Sequence, residues 1–263
     1  MGFGAMQLGG RNAFGPADDP ERSRRALRTA IELGVRHVDT SDYYGPHLVN
    51  ELIRETLGPY PDDLVLVTKI GARRDAAGQW LPALSPDEIR AGVDDNLAHL
   101  GVDRLDVVNL RVMTAGEPIG EKFAVLAELR EQGLIRHLGV SNVDAAQLAE
   151  AQRIAPVACV QNMYSVANRA DDALIDHCAE QDIAFVPYFP LGGGFAPFAT
   201  GALEQVGRQH GVTAHQVGLA WLLARSPNML IIPGSGNPDH VTENVAAAAL
   251  VLTEADLAEL SRW

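Results

Sequence analysis

The chain has 263 residues, 47% of them hydrophobic, and carries 34 acidic against 21 basic side chains, a formal net charge of −13. That length and apolar fraction support a substantial core, one α/β barrel or two ordinary domains, and the charge argues against a nucleic-acid backbone as partner. There is no run of about 18 apolar residues to span a membrane and no basic secretory n-region at Met1-Gly2-Phe3-Gly4, while Cys159 and Cys178 read as reduced core thiols, which points to the cytoplasm.

In chain order, eight strand-like runs alternate with helix-like segments. The first is 3–8. The second, 35–40, ends in Asp39-Thr40-Ser41-Asp42-Tyr43-Tyr44-Gly45. The third, 64–70, ends in Thr68-Lys69 and is followed by a long loop, 71–84, that holds Arg73, Arg74 and Trp80. Ser85-Pro86-Asp87-Glu88 supplies an N-cap, a first-turn proline and a capping acid for a helix over 89–100. The fourth run, 105–110, ends at Arg111. The fifth, 135–141, ends in Ser141-Asn142, and Asp144 can cap the helix over 145–153. The sixth, 157–162, contains Gln161. The seventh, 183–188, ends in Tyr188 ahead of a second long loop, 191–201, that includes Leu191-Gly192-Gly193-Gly194. The eighth, 229–233, precedes Gly234-Ser235-Gly236 and a helix starting near Pro238. A last helix over 254–262 follows Thr253. Gly34, Gly58, Gly101 and Gly133 stand where helices should stop.

Apolar runs of this length suit strands buried on both faces. Eight βα units in this length match a (β/α)8 TIM barrel, a single domain over 1–263. The alternative, a doubly wound open sheet, expects a glycine fingerprint after the first strand; Gly2-Phe3-Gly4-Ala5 has its glycines inside the strand and lacks the third.

Parallel strands bring Asp39, Tyr44, Lys69 and Arg111 to one rim. A free tyrosine titrates near pKa ~10, too high for efficient acid catalysis at neutral pH. A lysine cation beside Tyr44 would lower that value, and Asp39 could hold Lys69, because a buried ammonium needs a partner. By spacing alone, Tyr44 could equally be a rim aromatic and Asp39–Lys69 a structural ion pair, with Tyr43 as the rival phenol. Arg111 stays charged and can donate hydrogen bonds but cannot shuttle a proton; a salt bridge to Asp42 or Glu117 is its plain alternative. Glycines at 192–194 would let backbone N–H groups approach phosphate, although flexible loops look the same. Gly234, Ser235 and the following helix suggest a second anion site. The eight histidines show no metal spacing, and no metal is expected.

The segments Asp39–Gly45, Val67-Thr68-Lys69, Gly139-Val140-Ser141-Asn142, Val160-Gln161-Asn162, Tyr188-Phe189-Pro190-Leu191-Gly192 and Ile232-Pro233-Gly234-Ser235 with Glu243-Asn244 resemble the aldo-keto reductase superfamily, in order over nearly the whole chain. Tyr43-Tyr44-Gly45-Pro46-His47, Thr68–Arg74, Leu105–Met113 and Arg169-Ala170-Asp171-Asp172-Ala173 are similar to its bacterial pyridoxal-reducing branch, which uses NADPH. The resemblance implies NADPH as cofactor, with NADH as an alternative, and reduction of an aldehyde, pyridoxal to pyridoxine. It implies Tyr44 as proton donor with Asp39 and Lys69. It places Ser141, Asn142 and Gln161 on the nicotinamide amide, Tyr188 against its ring, Leu191, Gly192 and Gly193 on the phosphates, Gly234, Ser235 and His240 at the 2′-phosphate, and Glu243 and Asn244 at the adenine. Most members carry histidine where Arg111 stands, and many carry lysine and arginine at Gly234 and His240.

Trp80, Arg73 and Arg111 are the candidate substrate contacts, Arg111 toward the carbonyl oxygen or the 3-oxygen of pyridoxal. The chain starts at its first strand without the hairpin many relatives have and stops soon after its last helix, so an open pocket is expected. A small carbonyl compound is the expected partner, with no nucleic acid, membrane or required protein. The other readings are a broad carbonyl reductase acting on aldehydes, ketones or sugars, a cofactor-binding regulatory module with little turnover, and a non-redox barrel.

Overall fold

Short aliphatic and β-branched runs between capped helices set the architecture of the computed structural model, which describes residues 1–192 and 201–261. The strands are β1 (Phe3–Gly4), β2 (His37–Asp39), β3 (Val65–Ile70), β4 (Ala72–Arg74), β5 (Trp80–Pro82), β6 (Leu105–Arg111), β7 (Ile135–Ser141), β8 (Val157–Gln161) and β9 (Ala184–Phe185). The helices are α1 (Pro20–Glu32), α2 (Leu48–Leu57), α3 (Pro86–Leu100), α4 (Gly120–Glu131), α5 (Ala145–Gln152), α6 (Asp172–Glu180), α7 (Gly201–His210), α8 (Ala214–Arg225), α9 (Pro238–Ala246) and α10 (Glu254–Leu260). Among the described residues the main sheet runs β1-β2-β3-β6-β7-β8-β9, every pairing parallel.

The run at 229–233 closes that sheet into a barrel, although it forms no regular strand. Leu230 N–H donates to the Phe185 carbonyl at 2.9 Å, and Phe185 N–H donates to Asn228 at 3.0 Å. On the other side Gly2 N–H donates to Ile231 at 2.8 Å and Gly4 N–H to Pro233 at 3.3 Å. Glycine is needed at this seam: a Cβ on Gly234 would lie 2.1 Å from the Gly4 carbonyl oxygen, and one on Gly4 would lie 2.6 Å from that of Ile232. Helical faces then cover the strands with residues such as Leu27, Ile53, Ile89, Phe123, Leu148 and Leu219, all fully buried.

Three of the expected helix starts are capping boxes, at Ser85, Asp144 and Thr253. Gly101, Gly34 and Gly133 take positive φ just past helices, whereas Gly58 is extended before a cis Pro59. The first run departs from expectation: only Phe3–Gly4 is strand, and Ala5–Leu8 turns as a 3₁₀ helix. Its partner β2 ends at Asp39, opposite Gly4 in register, so no ladder remains to satisfy the next backbone groups. The loop at 71–84 is an antiparallel hairpin, β4 with β5. Asp75 builds its turn by accepting from Ala77 N–H and Gln79 N–H, and Gly78 takes φ +75°. No helix among the described residues is long and apolar enough to cross a membrane. Both cysteines are buried and unpaired.

Candidate active site

β2 and β3 deliver Asp39 and Lys69 to the strand C-terminal end of the barrel, where they meet. Lys69 Nζ donates to Asp39 Oδ1 at 2.6 Å and to the Thr40 carbonyl at 2.8 Å. From β8, Gln161 Nε2 donates to Asp39 Oδ2 at 2.7 Å. All three side chains are buried. Lys69 also sits over the Tyr44 ring, 5.2 Å from its centroid. Tyr44 gets there through a tight turn: its N–H donates to Ser41 at 3.0 Å, and Gly45 follows at φ +97°, where an added Cβ would press within 2.8 Å of Leu48 Cβ.

The electrostatics correct one expectation. Tyr44 is held above the ordinary phenol range, by burial first and by the Asp39 charge second, against a downward pull from Arg111. Lys69 does not lower it, because its own charge is balanced by Asp39 at 2.6 Å. Tyr44 is therefore a phenol that keeps its proton at neutral pH. Tyr43 is also raised, mainly by burial. It packs edge-on against Tyr44 at 5.4 Å and Trp80 at 5.2 Å, with no hydrogen bond to its hydroxyl among the described residues.

Arg111, Ser141 and Gln161 lie side by side in register at the ends of β6, β7 and β8. Among the described residues, no carboxylate comes within 4.0 Å of Arg111, and its buried Nε lacks a partner. Asp42 is taken by His47 and His99, and Glu117 by Lys122. Burial opposes the Arg111 charge, but the phenols of Tyr43, Tyr44 and Tyr188 hold the guanidinium above its usual range. Ser141 Oγ and Gln161 Oε1 are buried without partners. Asn142, at φ +62°, accepts from the Tyr188 hydroxyl at 2.8 Å and donates to the Val112 carbonyl at 3.2 Å.

A cavity of about 840 Å³ runs from the Trp80 hairpin across Tyr44, Lys69 and Arg111, past Tyr188 and Leu191, to Gly234 and Asn244. Ser235 Oγ accepts from Asn237 N–H at 3.0 Å and lies 3.4 Å from His240 Nδ1. His240 and Glu243 are exposed on α9, outside the cavity wall. Gly192 closes a turn with its N–H on Phe189 at 2.9 Å. Gly193 lies outside the described residues.

Arg73 does not reach the cavity. Side chains alternate along a strand, so in β4 Arg73 faces out to Glu88, 3.8 Å away, while Arg74 faces in. The Arg74 guanidinium lies 4.0 Å from the Trp80 ring and donates to the carbonyls of Asn12, Ala13 and Gly78. Met113, two residues beyond Arg111, also lines the cavity, as do Met6 and Met163. The step of two from Arg111 to Met113 was the readable signal. Met6 and Met163 had none.

These features fit a nicotinamide dinucleotide. Gln161 lines the cavity and its unpartnered oxygen offers a hydrogen bond to a carboxamide, with the unpartnered Ser141 hydroxyl beside it in register behind the wall; Tyr188 offers a ring face, and the elongated cavity continues to Gly234 at the start of the last βα turn.

The model of the aldo/keto reductase family matches residues 1–262. The pyridoxine 4-dehydrogenase of Escherichia coli (strain K12) is 53% identical over 266 residues, 99% of this chain and 93% of that protein. A thermostable aldo-keto reductase, Tm1743, solved with the inhibitor epalrestat, superposes with a TM-score of 0.84 at 31% identity, over 99% of this chain and 93% of its own. An aldo/keto reductase from Klebsiella pneumoniae, solved with NADP and acetate, gives a TM-score of 0.82 at 27% identity, over 99% and 89%.

Proposed function

The chain belongs to the aldo/keto reductase family, and from that premise we propose that it reduces an aldehyde to a primary alcohol with NADPH, its substrate being pyridoxal and its product pyridoxine. The observation that carries this reading is the phenol of Tyr44 lying against the Lys69–Asp39 pair in a cavity that also holds Arg111, which has no carboxylate partner among the described residues. Kinship with a pyridoxine 4-dehydrogenase supports the substrate, and the NADP complex of a structural relative supports the cofactor.

The bound dinucleotide supplies the hydride. Gln161, Ser141 and Asn142 would hold its carboxamide, and Tyr188 would offer a face to its ring. Leu191, Gly192 and Gly193 would serve the phosphates; Gly234 and Ser235 would serve the 2′-phosphate and Asn244 the adenine, and His240 and Glu243 would have to reach the same groups from the exposed face of α9. Tyr44 donates its proton to the carbonyl oxygen as that oxygen gains charge. Asp39 keeps Lys69 in place against Tyr44, where the pair positions the phenol. Arg111 donates to the oxygen or to an ionised neighbouring oxygen on the ring, which suits the 3-oxygen of pyridoxal. Trp80 walls the substrate end.

The test follows NADPH and NADH absorbance with pyridoxal and with a set of aldehydes, ketones and sugars. Pyridoxal is expected to give the highest kcat/KM, and NADPH to outperform NADH. Arg111→Met should cost about 1.5–3 kcal/mol with pyridoxal, a loss in kcat/KM of roughly ten- to 150-fold, and much less with benzaldehyde, which lacks the second oxygen. Equal turnover across the panel would favour a broad carbonyl reductase. Negligible turnover of every substrate with intact cofactor binding would favour a regulatory module.

A further inference from the structure

Behind the catalytic turn, on the side away from the main cavity, a second cluster of polar side chains converges. Asp42 is buried, and each of its oxygens meets a different imidazole. His47 Nδ1 lies 2.6 Å from Oδ2, and His99 Nδ1 lies 2.8 Å from Oδ1. The two rings are 4.3 Å apart and tilted by 34°. One ligand atom from each of the three residues falls within a single 4.8 Å span. From the geometry we propose that Asp42, His47 and His99 form a binding site for a divalent transition metal, with Zn²⁺ the best match.

Two imidazoles and one carboxylate are a donor set that zinc accepts in tetrahedral coordination, with an open fourth position for water. Ligand atoms around such an ion stand about 3.3 Å apart, from bond lengths of about 2.0–2.1 Å. The present 2.6 and 2.8 Å contacts must open by about 0.5–0.7 Å, and any pair wider than 3.3 Å within the 4.8 Å span must draw in. His47 is exposed and His99 partly so, which gives the rings room to adjust. A side cavity of about 250 Å³, bounded by Asp42, His47, Asp95 and Asn96, gives the ion an approach path. The carboxylate is fixed from behind. Asn50 Nδ2 donates to Asp42 Oδ1 at 3.2 Å and to Asn96 Oδ1 at 3.0 Å, while the Thr40 and Thr68 hydroxyls donate to Asn50 and Asn96. Such outer partners orient metal ligands. His47 itself is held at φ +68°, an unfavourable backbone conformation for a residue with a Cβ, with its N–H on the Asp42 carbonyl at 2.7 Å. In the metal-free protein both Nδ1 atoms face the carboxylate. Zinc takes these two nitrogens as lone-pair donors, and each imidazole proton moves to the outward Nε2 through solvent. Asp42 directly precedes Tyr43 and Tyr44, so the ion would clamp the turn that carries the proton donor.

This inference stands apart from the substrate assignment, and its test reads metal binding. The protein is dialysed against chelator and titrated with ZnCl₂ by calorimetry, beside His47→Ala and His99→Ala. The expected result is one zinc per chain in the micromolar range or tighter, an upward shift of the unfolding midpoint with zinc, and affinity at least about tenfold weaker in each variant. Wild-type protein that takes up no zinc, or variants that bind it as tightly as wild type, would overturn the proposal. Should a variant fail to fold, Co²⁺ added to wild-type protein decides: intense visible bands of a tetrahedral nitrogen–oxygen site support it, and the pale spectrum of hydrated cobalt rejects it.

Discussion

In the proposed reaction the residue that decides the chemistry is Tyr44, and what matters is that it stays protonated. Burial and the Asp39 carboxylate both hold its phenol above the usual range. Reduction uses the protonated form, so its rate should be flat through neutral pH with no inflection from Tyr44, whereas oxidation of the alcohol needs phenolate and should rise toward high pH. Tyr44→Phe removes the proposed donor and leaves the rest of the cavity in place. Turnover should fall by roughly 10²–10⁴-fold, while NADPH binding, followed by fluorescence quenching, survives. Variant turnover within a few-fold of wild type would take the donor role from Tyr44. The site was legible to this extent because Asp39, Lys69, Arg111 and Gln161 each end a short apolar run and Tyr44 lies in the turn that follows one, where a barrel places its chemistry. The sign of the Tyr44 shift was not legible. It depends first on how completely the barrel buries the phenol and then on the Asp39 charge beside it, and spacing along the chain gives neither.

At the scale of elements, local chemistry was read well and pairing poorly. The capping boxes at Ser85, Asp144 and Thr253 act within four residues, so their signals lie in the sequence itself. β1 stops at Gly4 because its neighbour stops, and the hairpin at 72–82 turns Arg73 outward and Arg74 inward; neither fact lies in a local window. The seam between β1 and the last barrel segment makes the element-scale prediction. Its backbones approach so closely at Gly4 and Gly234 that a methyl group on Gly234 has nowhere to go. Gly234→Ala should lower unfolding stability by about 1–3 kcal/mol and weaken NADPH binding, measured by urea denaturation and cofactor titration. Stability and cofactor affinity equal to wild type would mean the seam opens at little cost.

For the whole molecule, the barrel encloses ionisable groups that water would otherwise keep charged. His37 shares the inward direction of Asp39 along β2, two residues apart, and its ring Nε2 is buried without a partner. Burial pushes its pKa down to about 4, with the Asp39 charge opposing. The unfolded chain then binds more protons than the native one between about pH 6.5 and pH 4, so stability present above that window is lost as pH falls through it. The loss from this residue reaches roughly 3 kcal/mol at most, and His37→Asn should flatten the slope in denaturation curves taken across that range. An unchanged slope would assign acid sensitivity to the carboxylates instead. The sequence by itself determined the βα repeat, the rim residues and the family, because apolar periodicity, caps and strand-end motifs are local and ordered along the chain. Only the tertiary structure decided how 229–233 closes the ring, which arginine faces the cavity, and that Asp42, His47 and His99 meet. Those outcomes depend on contacts between residues far apart in sequence, which arise only once the barrel has closed.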